Sequence, residues 1–410
     1  MTFDLHFYIL LNDANRNNRC KTVYKTMKIS SIKKLIEQHE RSRLKGINLI
    51  ASENYLSTGV RKALSSDLAG RYHTSWYGGS KIAQKIIEET EELAKQLFKV
   101  KHAIITPLSG NICDLAVLFA FTSPNEKVAM VPFTAGGYPL GVDKFNRKHI
   151  DIPVNSKTFS IDIEKTKKLI ISKKVKLVIL GSSFLLFPHP VKQISMFTKN
   201  VNFPCQCVYD GSHILGLIAC GEFQNPLKEG AEVLFGSTHK TFYGPQGGIV
   251  LTNSQRHADA LKTFLDLDIE SGIGLIDNPH MNRIAALGIA IEEMLEDKNY
   301  GKRVIENAQT LAGALDELGV PVRFNDRNYT QSHQILLDIE PKPAEELCHQ
   351  LEQIGIFIDI GGRIGVAEVT HRGMGPEEMI KIAELISDVY LWNSGGKLKK
   401  HVKKLVDSLH

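Results

Sequence analysis

The chain has 410 residues, 43% of them hydrophobic and 23% charged, the balance of an ordinary globular protein able to bury a large core. Its 50 basic and 45 acidic residues leave a formal net charge of +5, without the single-sign field that recruits nucleic acid. No apolar run reaches the ~18 residues a membrane span needs, and six scattered cysteines suit a reducing compartment better than a disulfide framework. The expectation is a cytoplasmic protein that engages neither nucleic acid nor membrane.

Residues 1–26 match nothing that follows, and Asp4 and His6 stand where a signal peptide would be apolar. Residues 1–28 therefore read as a dispensable N-terminal extension or the product of an upstream start codon. From Ile29 onward, short β-branched runs alternate with amphipathic stretches, the pattern of a mostly parallel sheet with helices on both faces. Ile82, Ile86, Ile87, Leu93 and Leu97 predict a helix over residues 81–100. Buried strands are predicted over 127–132, 176–180, 206–210 and 232–236. Cys205 and Cys207 share one face of the third of these, and no second Cys/His pair sits at zinc spacing, so they read as buried strand cysteines and no metal site is expected.

A long helix over residues 279–295 closes a large domain spanning 29–295. A helix, strand, helix, strand, helix series from Arg303 to Trp392 then makes a small C-terminal α/β domain, 296–410. The basic tail over 397–404 reads as a solvated helix face rather than a contact for an anionic surface.

In open α/β sheets, ligands collect at the carboxyl ends of the strands. The segment Ser237, Thr238, His239, Lys240, Thr241 directly follows the predicted strand 232–236. A lysine there loses hydration and its pKa falls, giving the neutral amine that a Schiff base with an aldehyde cofactor requires. Taken alone, a strand-end lysine is more often a surface residue; here the flanking hydroxyls and the small-residue turn Gly244 to Gly248 suit the approach of a phosphate.

Upstream, Asp210 closes another strand, ahead of Gly211, Ser212 and His213. A carboxylate there can pair with a protonated pyridine nitrogen, or simply cap the next helix. Ser109, Gly110 and Asn111 open the apolar helix 112–121, where free amides and the positive dipole end suit a phosphate. Capping by Ser109 accounts for the same letters.

In this order, Leu49, Ile50, Ala51, Ser52, Glu53, Asn54; Tyr77, Gly78, Gly79; Ser109, Gly110; Asp210 to His213; Thr238 to Gly248; and Gly362, Arg363, Ile364, Gly365 with Thr370 to Gly373 resemble serine hydroxymethyltransferase, from about Ile29 to Val389. The resemblance implies a fold-type-I pyridoxal-phosphate transferase, with a seven-stranded type of mostly parallel sheet in the large domain, and a homodimer with active sites between subunits. It also implies a small amino-acid substrate and exchange of serine and glycine through the bond between Cα and Cβ. On this resemblance pyridoxal phosphate is covalently held by Lys240, and Asp210 is the pyridinium partner. Ser109, Gly110 and Asn111 hold phosphate, Tyr138 stacks on the ring, Ser183 and His213 contact the ring hydroxyl and the lysine region, and Thr238 and His239 flank the lysine. Ser52, Tyr77 and Arg363 bind substrate, the planar guanidinium suiting a bidentate carboxylate.

Three departures from the family stand out, the first two on the one-carbon half of the reaction. The family's glutamate before the Tyr-Gly-Gly motif has no carboxylate counterpart in Tyr72, His73, Thr74, Ser75, Trp76, Tyr77, which leaves proton handling to Tyr72 and to Thr74 or His73. The long loop before the arginine is replaced by Ile358, Asp359, Ile360, Gly361 and Gly362, which argues against an ordinary tetrahydrofolate or other pterin site. The histidine stacked on the cofactor becomes Tyr138, whose face still stacks. The competing expectations are a folate-independent threonine-aldolase-type lyase and a cofactor-binding paralogue that does not turn over.

Overall fold

The computed structural model describes residues 31–155, 157–266, 272–392 and 395–407; the expected extension 1–28 lies outside them. Its strands are β1 (Ile47–Asn48), β2 (His102–Ile104), β3 (Lys127–Met130), β4 (Lys148–Asp151), the hairpin β5 (Val154–Asn155) and β6 (Ser160–Ile161), and β7 (Leu177–Leu180). There follow β8 (Gln206–Asp210), β9 (Val233–Ser237), β10 (Gly248–Thr252), β11 (Gln334–Leu336), β12 (Ile356–Phe357) and β13 (Arg363–Gly365).

Seven of them form the central sheet, in the order β2-β10-β9-β8-β7-β3-β4. Pairing is parallel from β9 through β8, β7 and β3 to β4, while β10 runs antiparallel to both β9 and β2. The segment from Thr238 to Gly247 is shorter than the connection of about a dozen residues or more that a parallel return needs, so the chain turns back at once. Every residue of β7 and β9 is buried, and alternation sends them to two cores. Val178, Leu180 and Leu234 join one apolar cluster, and Leu177, Ile179, Val233 and Phe235 join the other. The strand expected to reach Pro132 ends at Met130, since a proline offers the ladder no N–H.

Helices Lys81–Phe98 and Met281–Glu296 pack together on one face. Beyond them, Tyr300–Glu317 packs on β11, which pairs with β13 in a two-stranded sheet, and on Pro376–Trp392, against which Pro341–Ile354 also packs. β1 pairs in parallel with β12, Ile47 opposite Ile356, so the start of the described chain is tied to its C-terminal part. The basic tail forms the helix Gly395–Asp407. It buries Leu398, Val402, Leu405 and Val406 and turns Lys399, Lys400, Lys403 and Lys404 outward, as a solvated face would. Among the described residues no helix is long and apolar enough to cross a membrane.

Candidate active site

The exits of β7, β8 and β9 meet at one place. Gly181, just past β7, has φ +97°, and any Cβ there would overlap the Asp210 carbonyl, so only glycine lets these two strand ends close on each other. Asp210 is buried, and its Oδ1 accepts the Ser212 backbone N–H at 2.9 Å. Ser212 Oγ in turn accepts the Ser237 backbone N–H at 3.0 Å, joining the β8 and β9 exits. That leaves Asp210 Oδ2 without a hydrogen-bond partner among the described residues.

Lys240 follows three residues after β9. Asn54 Nδ2 donates to its carbonyl at 2.5 Å, so the segment from Leu49 to Asn54 is moored to the lysine turn. Burial pushes the ammonium below the ordinary lysine value of 10.5 and Arg363 adds to this, while Asp210 and Asp114 oppose it. Thr238 donates its hydroxyl to Pro245 O at 2.7 Å, which closes the turn leading back to β10. Ser237 Oγ and His239 Nδ1 are buried without a partner, and burial lowers His239 to about 4. Two orphaned polar atoms beside a desolvated amine and a half-bonded carboxylate fit a polar cofactor such as pyridoxal phosphate.

Ser109 caps the helix Gly110–Phe121, its Oγ accepting from Ile112 N–H at 3.2 Å. The first amides of that helix have no earlier turn to bond to and open toward the site. Tyr138 donates its hydroxyl to Asn111 Oδ1 at 3.3 Å, which sets the ring beside the helix start.

Arg363 opens β13 and is nearly buried. Its Nε donates to Asp359 Oδ2 at 2.7 Å, its Nη1 to the Ser183 carbonyl at 2.8 Å, and the guanidinium lies 4.7 Å from the Phe184 ring centre. Nη2 has no partner among the described residues. Gly362 N–H donates to Asp359 O at 3.2 Å, so the shortened segment ahead of the arginine is a tight turn whose aspartate steadies it. Gly365 allows the segment from Leu49 onward to lie against β13: a Cβ would strike Ala51. Ser52, the next residue, is half-buried with no hydrogen bond of its own among the described residues.

His213 is buried, and burial first, then the charges of Lys240 and Arg363, hold it well below its ordinary value. It stacks on His333 with ring centres 5.9 Å apart. Asp114, on the helix that Ser109 caps, is 3% exposed, and its carboxyl makes no hydrogen bond among the described residues. Burial, then the Asp210 charge, raises its carboxyl well above the usual range, with Lys240 opposing. Neither Asp114 nor His333, Gln334, Phe184 or Asp359 stood out in the sequence. The only available signals were a charged letter inside the apolar run 112–121 and a histidine ahead of a β-like run.

The expected site residues are not all brought together. Lys240, Asp210, His213, Ser183 and Arg363 share one space, with the start of the helix carrying Ser109, Gly110 and Asn111 beside it. Tyr72 and Tyr77 lie on the exterior and pack against each other, their rings tilted by 36° with 4.8 Å between centres. His73 Nδ1 and Thr74 Oγ1 are buried without partners. No hydrogen bond or ring contact joins this segment to the Lys240 cluster among the described residues.

A family model described as serine hydroxymethyltransferase matches residues 26–386. Serine hydroxymethyltransferase of Korarchaeum cryptofilum is 37% identical over 399 residues, covering 88% of this chain and 90% of that protein. The enzyme of the same name from Methanocaldococcus jannaschii is 38% identical over 388 residues, covering 86% and 87%. Among solved structures, L-threonine transaldolase from Pseudomonas fluorescens in its internal aldimine state superposes with a TM-score of 0.83 at 27% identity, covering 92% of this chain and 90% of that one. The α/β fold expected from the sequence, fold-type-I with a seven-stranded, mostly parallel sheet, is the fold observed.

Proposed function

This chain belongs to the serine hydroxymethyltransferase family, and on that premise we propose that it interconverts serine and glycine with pyridoxal phosphate carried on Lys240. The observation that carries the reading is the grouping of a desolvated lysine, a carboxylate with one unbonded oxygen and a guanidinium with one unbonded nitrogen. When bound, the cofactor supplies a cationic ring that takes up the electron pair left on Cα as the bond to Cβ breaks.

The chain's own residues supply the rest. Burial of Lys240 favours the uncharged amine that capture of the aldehyde needs. Asp210 Oδ2 would hold a protonated ring nitrogen, Oδ1 being already engaged by Ser212 N–H. Arg363 takes the substrate carboxylate through Nη2 and the outer edge of Nη1, and Phe184 behind it keeps water away. Ser109, Gly110 and Asn111 seat the phosphate, Tyr138 covers the ring, and Ser183, Thr238, His239 and His213 line the space around the lysine. Ser52 stands beside Arg363, on the segment that Ala51 packs against Gly365.

Tyr72, Thr74 and Tyr77 serve the site of a second copy. They lie apart from their own lysine cluster and carry unpartnered atoms next to exposed aromatics, so a homodimer completes both sites. The five described cysteines are free, which suits the reducing cytoplasm.

A second reading, cleavage that releases the aldehyde free, is favoured by the absence of any carboxylate in the Tyr72–Tyr77 segment and by the turn that replaces the loop before Arg363. Both features weigh against an ordinary tetrahydrofolate site. Steady-state glycine release from serine, with and without tetrahydrofolate, beside threonine and allothreonine, separates the readings. Turnover of serine that needs a pterin supports the transferase. Faster, pterin-independent cleavage of threonine supports the lyase, and a coloured protein with no turnover at all marks an inactive paralogue.

A further inference from the structure

Gln334 is wholly buried at the start of β11, opposite Gly365 of β13. Its amide has a single consistent orientation. Oε1 accepts the Leu185 backbone N–H at 3.0 Å, and Nε2 donates to the Ser183 carbonyl at 3.0 Å. Both partners are main-chain groups of fixed polarity, so a flipped amide would set oxygen against oxygen and N–H against N–H. With the amide fixed, the nitrogen 2.9 Å from His213 Nδ1 is a donor, and an amide nitrogen accepts nothing.

We propose that Gln334 is a positioning residue that locks His213 as the neutral tautomer with its proton on Nε2, so that this N–H faces the group carried on Lys240. His213 Nε2 has no hydrogen-bond partner among the described residues, which leaves it free for that purpose. The same amide nitrogen lies 3.2 Å from His333 Nε2. Its two hydrogens are already taken by the Ser183 carbonyl and His213 Nδ1, so this longer contact does not fix the His333 tautomer. Protonating His213 at Nδ1 would drive N–H against N–H. Lys240, Arg363, His239 and His333, the titratable groups that face it, all oppose an imidazolium there as well. The ring thus donates a hydrogen bond without carrying charge, which spares the site another cation beside Arg363.

The role assigned to this N–H rests on the pyridoxal-phosphate reading; the tautomer itself does not. Nitrogen NMR of holoenzyme labelled in its histidine rings decides it, with the His213 signals identified by their loss in His213→Asn. From about pH 6 to about pH 9 the wild type should show Nδ1 in the unprotonated range and Nε2 in the protonated range, unchanged. Gln334→Glu keeps the acceptor for Leu185 and replaces the donor with an acceptor. It should move a proton to His213 Nδ1, add a limb to the pH profile of kcat, and lower kcat by roughly tenfold or more while KM for serine stays within about twofold.

A wild-type His213 protonated on Nδ1, or charged within that pH range, overturns the proposal, and so does a folded Gln334→Glu enzyme whose His213 signals match the wild type. Should that variant fail to fold, the wild-type spectrum decides alone. A protein that shows this tautomer yet stays colourless with pyridoxal phosphate upholds the lock and overturns the proposed function instead.

Discussion

Lys240 is held between opposing influences, of which burial is the largest, and the outcome is an amine below its ordinary value of 10.5. A base depressed in this way binds fewer protons folded than unfolded, so the apoprotein gains stability as pH rises through the window between the folded value and 10.5. The neutral fraction also governs capture of an aldehyde. The rate of pyridoxal phosphate uptake by apoprotein, followed by absorbance, should therefore rise with pH with a midpoint below 10.5; a midpoint at or above it would mean that the amine is solvated. At Arg363 the argument is geometric. Its Nε and Nη1 are already engaged, and a lysine would hold the carboxylate through one point charge rather than a fork. Losing about one charge-assisted hydrogen bond, roughly 1.5–3 kcal/mol, should make Arg363→Lys raise KM for serine about 10- to 100-fold with kcat moved less. An unchanged KM would remove Arg363 from the substrate site.

At the scale of elements, the helix Gly110–Phe121 brings two different things to the site: open amides at its start and, one turn on, Asp114. A carboxyl raised on folding binds more protons folded than unfolded. Its cost to stability is absent below the ordinary value of 3.8, grows as pH rises above it, and is at its fullest above the raised folded value. Asp114→Asn should therefore raise Tm of the apoprotein more at about pH 8 than at about pH 4, and equal shifts would show that Asp114 is ionised and compensated. The helix was legible in the sequence as an apolar run behind Ser109, and so were β8 and β9 with Asp210 and Lys240, because each pairs a buried strand with its own exit. Gln334 and His333 were not legible. They reach the site only because β11 pairs with β13, a register that places Gln334 opposite Gly365, and no local period in either strand announces that pairing. Asp359 was read only as part of the short segment that replaces the family's loop, whereas its carboxylate holds Arg363; that contact depends on the tight turn between them, which the letters alone did not announce.

For the whole molecule, the proposed division of the site between two copies is the consequence that matters most. Lys240→Ala should be inactive, and so should a Tyr72→Ala/Thr74→Ala chain, if the outer segment serves the partner. Random re-pairing of the two inactive chains makes half of the dimers mixed, each with one intact site, so about a quarter of wild-type activity should return. Mixing that restores nothing would place the segment in its own chain's site. The fold that supports this arrangement was written plainly in the alternation of buried strands and amphipathic helices. What lay beyond the sequence was the tie between β1 and β12, since two-residue strands leave no periodic signal.

The catalytic expectations depend on where the cofactor is carried. Holoenzyme reduced with borohydride, digested and mapped by mass spectrometry should show the phosphopyridoxyl group on the peptide containing Lys240 and nowhere else. Modification of a different lysine, or none in a protein saturated with pyridoxal phosphate, would contradict the account.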